Sequence, residues 1–208
     1  MSSVSRINGF RYVKNVVGGS MTGQAETCFV PASDATVIMV GDAVQLLGDA
    51  RSPTGVPTVT RMASATGVPY GIVVGISFEG MGDVQNMPPV NDLNTPVYRR
   101  ASTDRYLLVI TDPNAVFEVQ LAGAGPAAAA ATAMVGLNGQ FLLTAGNTSS
   151  GASGMQLDSA GQATTATLPL KIVGFPYRPD NVPGDAFFSF YVKLNGSTLS
   201  NGTGQAGV

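Results

Sequence analysis

The side chains of this sequence that could do chemistry are its carboxylates, its serines and one cysteine, Cys28. The 208 residues include no histidine, so no side chain has an ordinary pKa near neutrality and the most common general base of enzymes is missing. The serines have neither a histidine partner nor a lysine three residues further on, the arrangements that activate a serine hydroxyl. Catalysis by a serine nucleophile is therefore not expected.

Thirteen Asp and Glu residues are present, and most of them fall where turns are expected. Asp is favoured in turns because its side chain accepts hydrogen bonds from nearby backbone amides. The sequence marks no two of them as an acid pair across a cleft, and neither 83–92 nor 104–112 has the ligand spacing of a calcium loop. The glycines of residues 71–75 lack the Lys-Ser/Thr ending of a phosphate-binding loop. We expect no enzyme activity, no catalytic residues, no cofactor and no metal ion.

Cys28 lies in a strand-like run, residues 26–30. A single thiol cannot form an internal disulfide or a cysteine-based zinc site. We interpret Cys28 as a buried structural thiol, and a reactive nucleophile is the alternative.

The elements that carry these side chains are predicted to be mainly β-strands. The 26 glycines and 13 prolines separate short apolar runs at the spacing of an all-β domain. Residues 126–135 predict one helix, because a proline and a run of alanines precede the stop signal Gly136. The predicted strands are 10–17, 27–30, 36–40, 43–47, 56–62, 70–78, 140–144, 155–157, 164–175 and 186–194, together with the two strands of the segment 99–120.

Residues 99–120 are predicted to form a β-hairpin. Both sides of the first strand are apolar, which predicts burial on both faces, and the second strand alternates as a half-buried strand does. Asp112-Pro113-Asn114 supplies the turn, in which Asp112 can accept a hydrogen bond from the backbone two residues on.

Charged residues make up only 12% of the chain, about half the usual share, while hydrophobic residues make up 44%. The length suits one sizeable domain or two small ones with a substantial core. Since charges are few, neutral polar residues must cover much of the surface, and such a surface suits a protein that stays packed against neighbours. The charge-free stretch 119–157 is either a short helix with plain loops or a surface that packs closely on another subunit.

The N-terminal region is basic, because three cations precede the first acid, Glu26. It is either a mobile, solvated terminus or a basic arm that docks on an acidic partner surface. Nucleic-acid binding has little support from three charges and a sequence pI near 4.9. The candidate contact residues of the arm are Arg6, Phe10, Arg11, Tyr12 and Lys14.

Two further segments bear on location and partners. The first residues lack the apolar core of a secretion signal, and the charge-free stretch is broken by glycine, proline and asparagine, so we expect synthesis in the cytoplasm and no membrane partner. Residues 79–96 are rich in Gly, Asn and Pro and have few apolar anchors, which favours an exposed lid or a partner contact.

A series of short motifs, taken in order, resembles the small decoration or cement proteins that stabilise the heads of tailed bacteriophages. The resemblance covers roughly residues 8–195. Each motif by itself is a sequence pattern common in strands and turns, so the resemblance rests on the order of the motifs. The motifs are 8–13 (NGFRYV), 29–36 (FVPASDAT), 40–44 (VGDAV), 55–59 (GVPTV), 71–75 (GIVVG), 101–106 (ASTDRY), 117–120 (FEVQ), 136–138 (GLN), 164–168 (TTATL) and 174–181 (GFPYRPDN).

The resemblance implies a β-barrel or jelly-roll-like body. With the elements predicted from the residues, we expect an all-β fold, a single β-barrel or jelly-roll-like sandwich with one short helix and an extended N-terminal arm. We therefore divide the chain into an arm (1–25), a β body (26–195) and a flexible C-terminal tail (196–208). It also implies a non-catalytic virion protein on the outer surface of the capsid, which bridges subunits of the major capsid protein and assembles with itself as a dimer or trimer at capsid symmetry axes. The alternative is a carbohydrate- or receptor-binding β module on a virion or cell surface.

Overall fold

The computed structural model describes residues 4–18, 25–77, 96–123, 127–200 and 204–207, and within them the prediction of an all-β chain is confirmed. The predicted loop 79–96 lies outside the described residues except for Pro96. No helix in these ranges has the length and apolar character needed to cross a membrane. The strands are β1 (Arg11–Asn15), β2 (Glu26–Val30), β3 (Ile38–Met39), β4 (Ala43–Arg51), β5 (Val56–Arg61), β6 (Gly71–Ile76), β7 (Tyr98–Arg99), β8 (Arg105–Ile110), β9 (Ala115–Gln120), β10 (Asn138–Gly139), β11 (Phe141–Leu142), β12 (Gln156–Leu157), β13 (Leu170–Gly174) and β14 (Ser189–Leu194).

Five strands close into a barrel in the order β2-β5-β4-β6-β8, with β8 pairing back to β2. Alternate residues of these strands point inward, so the barrel interior is filled by small and branched side chains. Most of it comes from Val30, Val44, Val59, Val73, Leu107 and Val109, and Cys28 lies among them. Cys28 is fully buried, which confirms its interpretation as a buried thiol, and burial followed by the charge of Glu26 raises its pKa to about 12.

Five strands form an antiparallel sheet in the order β1-β9-β14-β13-β10. Its inner face carries Phe117, Val119, Ile172 and Val192, in one core with residues from the outside of the barrel such as Ile72 and Ile110. The sheet therefore packs against the barrel wall. β14 has the amphipathic pattern that its sequence predicts, since Phe188, Phe190, Val192 and Leu194 are buried.

Strands β8 and β9 follow each other in sequence, but they do not pair, so the predicted hairpin is wrong. β8 pairs with β2 and β6 in the barrel, and β9 pairs with β1 and β14 in the sheet. The turn between them is a corner through which the chain leaves the barrel and enters the sheet. Within it, the Asn114 N–H donates to the Asp112 carboxylate at 2.8 Å, as predicted. The sequence predicts Leu108 to be buried with the rest of its strand, but it is 42% exposed and belongs to neither core.

The N-terminal segment is extended, as expected of an arm, but it lies along the body. β1 pairs with β9, and just before it the Phe10 N–H donates to Gly41 O at 2.9 Å. Gly9 permits this approach, because a Cβ there would lie 2.5 Å from both Gly41 O and Ser153 Cβ. Residues 8–15 are therefore part of the two-layer body.

The described end of the C-terminal segment is also attached to the body. Gln205 O accepts hydrogen bonds from the side-chain amides of Asn138 at 2.7 Å and Asn195 at 3.0 Å. The Gln205 N–H in turn donates to Asn195 Oδ1 at 3.0 Å. The predicted helix is present as α1 (Ala128–Ala133), with Ala131 buried against the sheet core.

Candidate interaction face

The three lysines of the chain lie side by side on the five-stranded sheet. Lys14 of β1 is opposite Val116 of β9, Val116 is opposite Lys193 of β14, and Lys193 is opposite Lys171 of β13. Residues opposite each other in antiparallel strands point to the same side of the sheet. The lysines therefore form one row across four strands, although Lys14 lies near one end of the sequence and Lys193 near the other.

The lysine row faces away from the core. Ile172 and Val192, the strand neighbours of Lys171 and Lys193, belong to the core, so alternation places the lysines on the other side. Val116, which lies between Lys14 and Lys193 in this row, is buried although it belongs to neither core. The Lys14 ammonium lies 5.9 Å from the centre of the Tyr191 ring, a cation–π contact.

A second row runs beside the lysines on the same side of the sheet. Arg11 of β1 is opposite Glu118 of β9, and Glu118 is opposite Tyr191 of β14. Glu118 bonds Arg178 at 2.5 Å, and the same guanidinium lies 2.9 Å from Asp180. The hydrogen bond to Glu118, which outweighs the desolvation of this guanidinium, raises the pKa of Arg178.

We call this surface the basic face and define it as Arg11, Lys14, Glu118, Lys171, Arg178 and Lys193. Five cations and one acid give it a formal charge of +4, whereas the whole chain has a formal charge of −2. The remaining residues therefore carry a formal charge of −6. Depletion of opposite charges over several strands is typical of a surface that binds an acidic partner.

The structure places three of the five predicted contact residues at the surface. Arg6, Arg11 and Lys14 are exposed, and the last two belong to the basic face. Phe10 is 2% exposed and its ring packs edge-on against Phe141 with centroids 5.3 Å apart, so the prediction that it contacts a partner is wrong. Tyr12 is half-buried and points to the inner side of the sheet, where its ring lies 6.2 Å from that of Phe117.

Sequence reasoning missed Lys171, Arg178 and Lys193 as parts of this face. The one signal available was the amphipathic pattern of β14, which puts Lys193 on the side of the strand opposite the phenylalanines. Their approach to Lys14 depends on the pairing of strands that are distant in sequence, which no local pattern specifies.

A polar cleft of about 280 Å³ opens at one end of the basic face. The N-terminal segment forms one wall, and the start of β14 and the loop after β13 form the other. Gln120 is buried in its floor, where its Oε1 accepts from the Arg6 N–H at 2.8 Å and its Nε2 donates to Ser5 Oγ at 3.3 Å. The charged side chains of its lining are Arg6, Arg11, Glu118, Arg178 and Asp180.

A second, more apolar cavity of about 510 Å³ lies between β1 and the barrel and shares Arg11 with the polar cleft. Its lining includes Phe10, Tyr12, Val40 and Val74. No charged side chain other than Arg11 lines it among the described residues.

Two buried polar networks hold loops of the barrel and lie in neither cavity. Arg99 is fully buried and donates to the carbonyl oxygens of Pro31, Asp34, Thr36 and Thr103. Burial lowers the pKa of Arg99 despite the opposing charges of Asp34 and Asp104. The four carbonyl oxygens accept hydrogen bonds from its guanidinium N–H groups, and these bonds hold the loops together.

Asp42 is the centre of the second network. It accepts hydrogen bonds from the Met39 N–H at 2.9 Å, from Ser153 Oγ at 2.6 Å and from Arg61 Nε at 3.2 Å. Burial raises the pKa of Asp42 against the opposing charge of Arg61. Its partners account for both carboxylate oxygens, so we assign Asp42 a structural role. In the described part of the chain, no three His, Cys, Asp or Glu residues come together as metal ligands.

Comparisons with known proteins return no relative of this chain: no family model, no curated protein and no solved structure matches it.

Proposed function

We propose that this chain is a structural virion protein that decorates the head of a tailed bacteriophage and stabilises it by bridging subunits of the major capsid protein. The observation that carries the proposal is the basic face, an exposed sheet surface on which all three lysines of a charge-poor chain are gathered. The resemblance of the ordered motifs to head decoration proteins supplies the identity of the partner.

The basic face suits docking onto an acidic protein surface. Single exposed ion pairs contribute only about 0–1 kcal/mol each, so no one lysine would hold the two proteins together. A face of charge +4 also attracts an acidic surface over a screening length of about 8 Å at physiological salt, which raises the association rate and orients the encounter. We therefore expect attachment that weakens with added salt.

The basic face is too small to form a stable interface by itself, so the proposal includes its flanks. With strands about 4.8 Å apart and about 3.4 Å per residue, the four longer strands present roughly 350 Å². A stable interface needs about 800 Å² per partner, so the face supplies less than half of it. The loop after β13 is the best placed to add area, because Tyr177 is 96% exposed and tyrosine is a frequent anchor of protein interfaces.

Repetition over a shell makes such modest contacts effective. If a dimer or trimer at a symmetry axis engages two or more capsid subunits, the second contact forms at a high effective concentration. The basic face then acts as a clamp across subunit boundaries, and it resists the internal pressure of packaged DNA by raising the cost of separating subunits.

Co-sedimentation tests the proposal directly. Purified chain is mixed with shells of the major capsid protein encoded by the same genome, and the bound fraction is measured at about 0.05 M and about 0.5 M NaCl. We expect saturable binding at a fixed ratio to capsid protein, weaker at the higher salt.

A matched pair of variants locates the contact. Lys193→Gln removes a charge from the basic face, and Arg100→Gln removes an exposed charge beside the barrel. We expect the first to weaken binding and the second to leave it unchanged. Absence of binding to shells, together with saturable binding on a glycan array, would instead establish the carbohydrate-binding alternative.

A further inference from the structure

The polar cleft contains an arginine whose charge is not neutralised by its surroundings. Arg178 is engaged by Glu118 at 2.5 Å and by Asp180 at 2.9 Å. The Arg11 guanidinium forms no hydrogen bond or ion pair with any residue that the structure describes, although Arg11 lies directly opposite Glu118 on the neighbouring strand. Opposite charges on directly opposite residues of neighbouring strands usually interact, but here Glu118 forms its ion pair with Arg178 instead.

The acids of the cleft are occupied, so its uncompensated charge is that of one cation. Glu118 is held by Arg178, and Asp180 is shared between Arg178 and Arg6, whose guanidinium lies 3.6 Å from it. Three arginines and two acids leave the cleft with a charge of +1. A singly charged anion such as a carboxylate matches this balance, whereas a doubly charged phosphate exceeds it.

The walls of the cleft are fixed before any partner arrives. The buried Gln120 side chain bonds Ser5 and the Arg6 backbone, and Gly9 is held against the barrel. The opposite wall is held by Asn181, whose Nδ2 donates to Pro176 O at 2.9 Å and whose Oδ1 accepts from the Ser189 N–H at 2.6 Å. A preformed site loses little conformational freedom when it is filled.

We propose that this cleft is a carboxylate-binding site, in which Arg11 receives an acidic side chain of the protein on which the basic face docks. An arginine fork binds a carboxylate through two parallel N–H···O bonds, which gives direction as well as attraction. A volume of about 280 Å³ accommodates a carboxyl group and the one or two methylenes that carry it. The proposal rests on the proposed function for the source of that carboxylate: the lysine row supplies attraction, and the cleft sets the register of docking.

Chemical-shift titration of the full chain tests the site without any capsid protein. The probe is the blocked amino acid acetyl-glutamate amide, whose only charge is its side-chain carboxylate. We expect saturable shifts of the backbone amides of Arg6, Arg11 and Gln120, with dissociation constants in the millimolar range that is usual for so small a ligand. The neutral analogue acetyl-glutamine amide should cause no saturable shift at the same amides.

Variants separate a built site from a general electrostatic field. Arg11→Gln should raise the dissociation constant at least about tenfold, and Arg11→Lys, which keeps the charge but loses the fork, should also bind more weakly than the native chain. Arg100→Gln should bind as the native chain does. The amide spectrum of each variant shows directly whether it has folded, and these exposed positions leave the core intact.

Other outcomes would overturn the proposal or assign the carboxylate to a different source. Equal binding by Arg11→Lys and the native chain, tighter binding of inorganic phosphate than of acetyl-glutamate amide, or no saturable shift would each refute the carboxylate site. Tighter binding of acetyl-glycine, whose carboxylate is terminal, would support the site and assign it to a chain terminus. Binding of acetyl-glutamate amide by a chain that does not sediment with shells would uphold the cleft and refute the capsid function.

Discussion

Replacing Lys193 by glutamate should make the protein more stable while weakening its docking. Lys193 lies directly opposite Lys171 on the neighbouring antiparallel strand, and like charges in that position repel. Lys193→Glu removes this repulsion and creates an opposite-charge pair, and each such cross-strand pair contributes about 0.2–1 kcal/mol. We therefore expect a gain of about 0.5–1 kcal/mol in the free energy of unfolding, counting both effects.

Equilibrium urea unfolding followed by circular dichroism measures this gain. With a denaturant slope of about 2 kcal/mol per M, the midpoint should rise by roughly 0.25–0.5 M. The gain should shrink in about 1 M NaCl, because a charge pair at the surface is screened. Binding of the same variant to capsid shells should fall.

A double-mutant cycle decides whether the pair is responsible. Lys171→Glu should give a smaller gain, because the Lys171 ammonium also donates to Ala206 O at 3.0 Å. The double variant places Glu opposite Glu and should lose the gain of either single change. If Lys193→Glu lowers stability, or if its effect is the same with Lys171 present or replaced, the assigned register of the lysine row is refuted.

Three further predictions concern the scaffold that supports the face. Arg99→Met should lower the free energy of unfolding by about 3–5 kcal/mol, because it leaves buried carbonyl oxygens without hydrogen-bond donors. The same substitution at the exposed neighbour, Arg100→Met, should change it by less than about 0.5 kcal/mol. Urea unfolding of the two variants measures both effects. Phe10→Ala should cost about 3–5 kcal/mol in the same assay, as a core phenylalanine does, and a cost under about 1 kcal/mol would show that Phe10 is not a core residue. Burial alone would raise the pKa of Asp34, but hydrogen bonds from Thr36 and Thr60 and the charge of Arg99 lower this pKa below the usual 3.8. The Asp34 carboxylate therefore stabilises the fold above pH 3.8, and this contribution is lost as the pH falls through the lower pKa of the folded state. Asp34→Asn should therefore destabilise the protein at pH 7, and the difference from the native chain should shrink as the pH falls below the usual pKa of 3.8. An unchanging difference between pH 7 and the acid range would contradict the assignment.

Local sequence patterns account well for the elements and poorly for their partners. The alternation of Phe188, Phe190, Val192 and Leu194 predicts β14, and the Asp112 side chain predicts a turn, because both depend on neighbours within a few residues. The pairing partners of β8 and of β9 could not be predicted in this way. β8 pairs with β2 and β9 pairs with β14, both distant in sequence, so the turn between β8 and β9 is a corner between two layers and not the tip of a hairpin.

The candidate site was foreseen in part for the same reason. The basic character of the N-terminal segment predicts Arg11 and Lys14 as contact residues, and both belong to the basic face. The sequence places Phe10 next to Arg11 and so predicts it at the same surface, yet in the structure its ring is buried against Phe141. Lys14 and Lys193 come together only through the register of three strands, which is a property of the whole fold.

Amine footprinting on assembled particles tests the central claim most directly. All three lysines belong to the basic face, so acetylation of lysine reports on that face alone. The acetylation rates of Lys14, Lys171 and Lys193 are measured by mass spectrometry for the free chain and for the chain bound to capsid shells. We predict that all three rates fall severalfold on binding, whereas equal rates in the free and bound chain would contradict docking through the basic face.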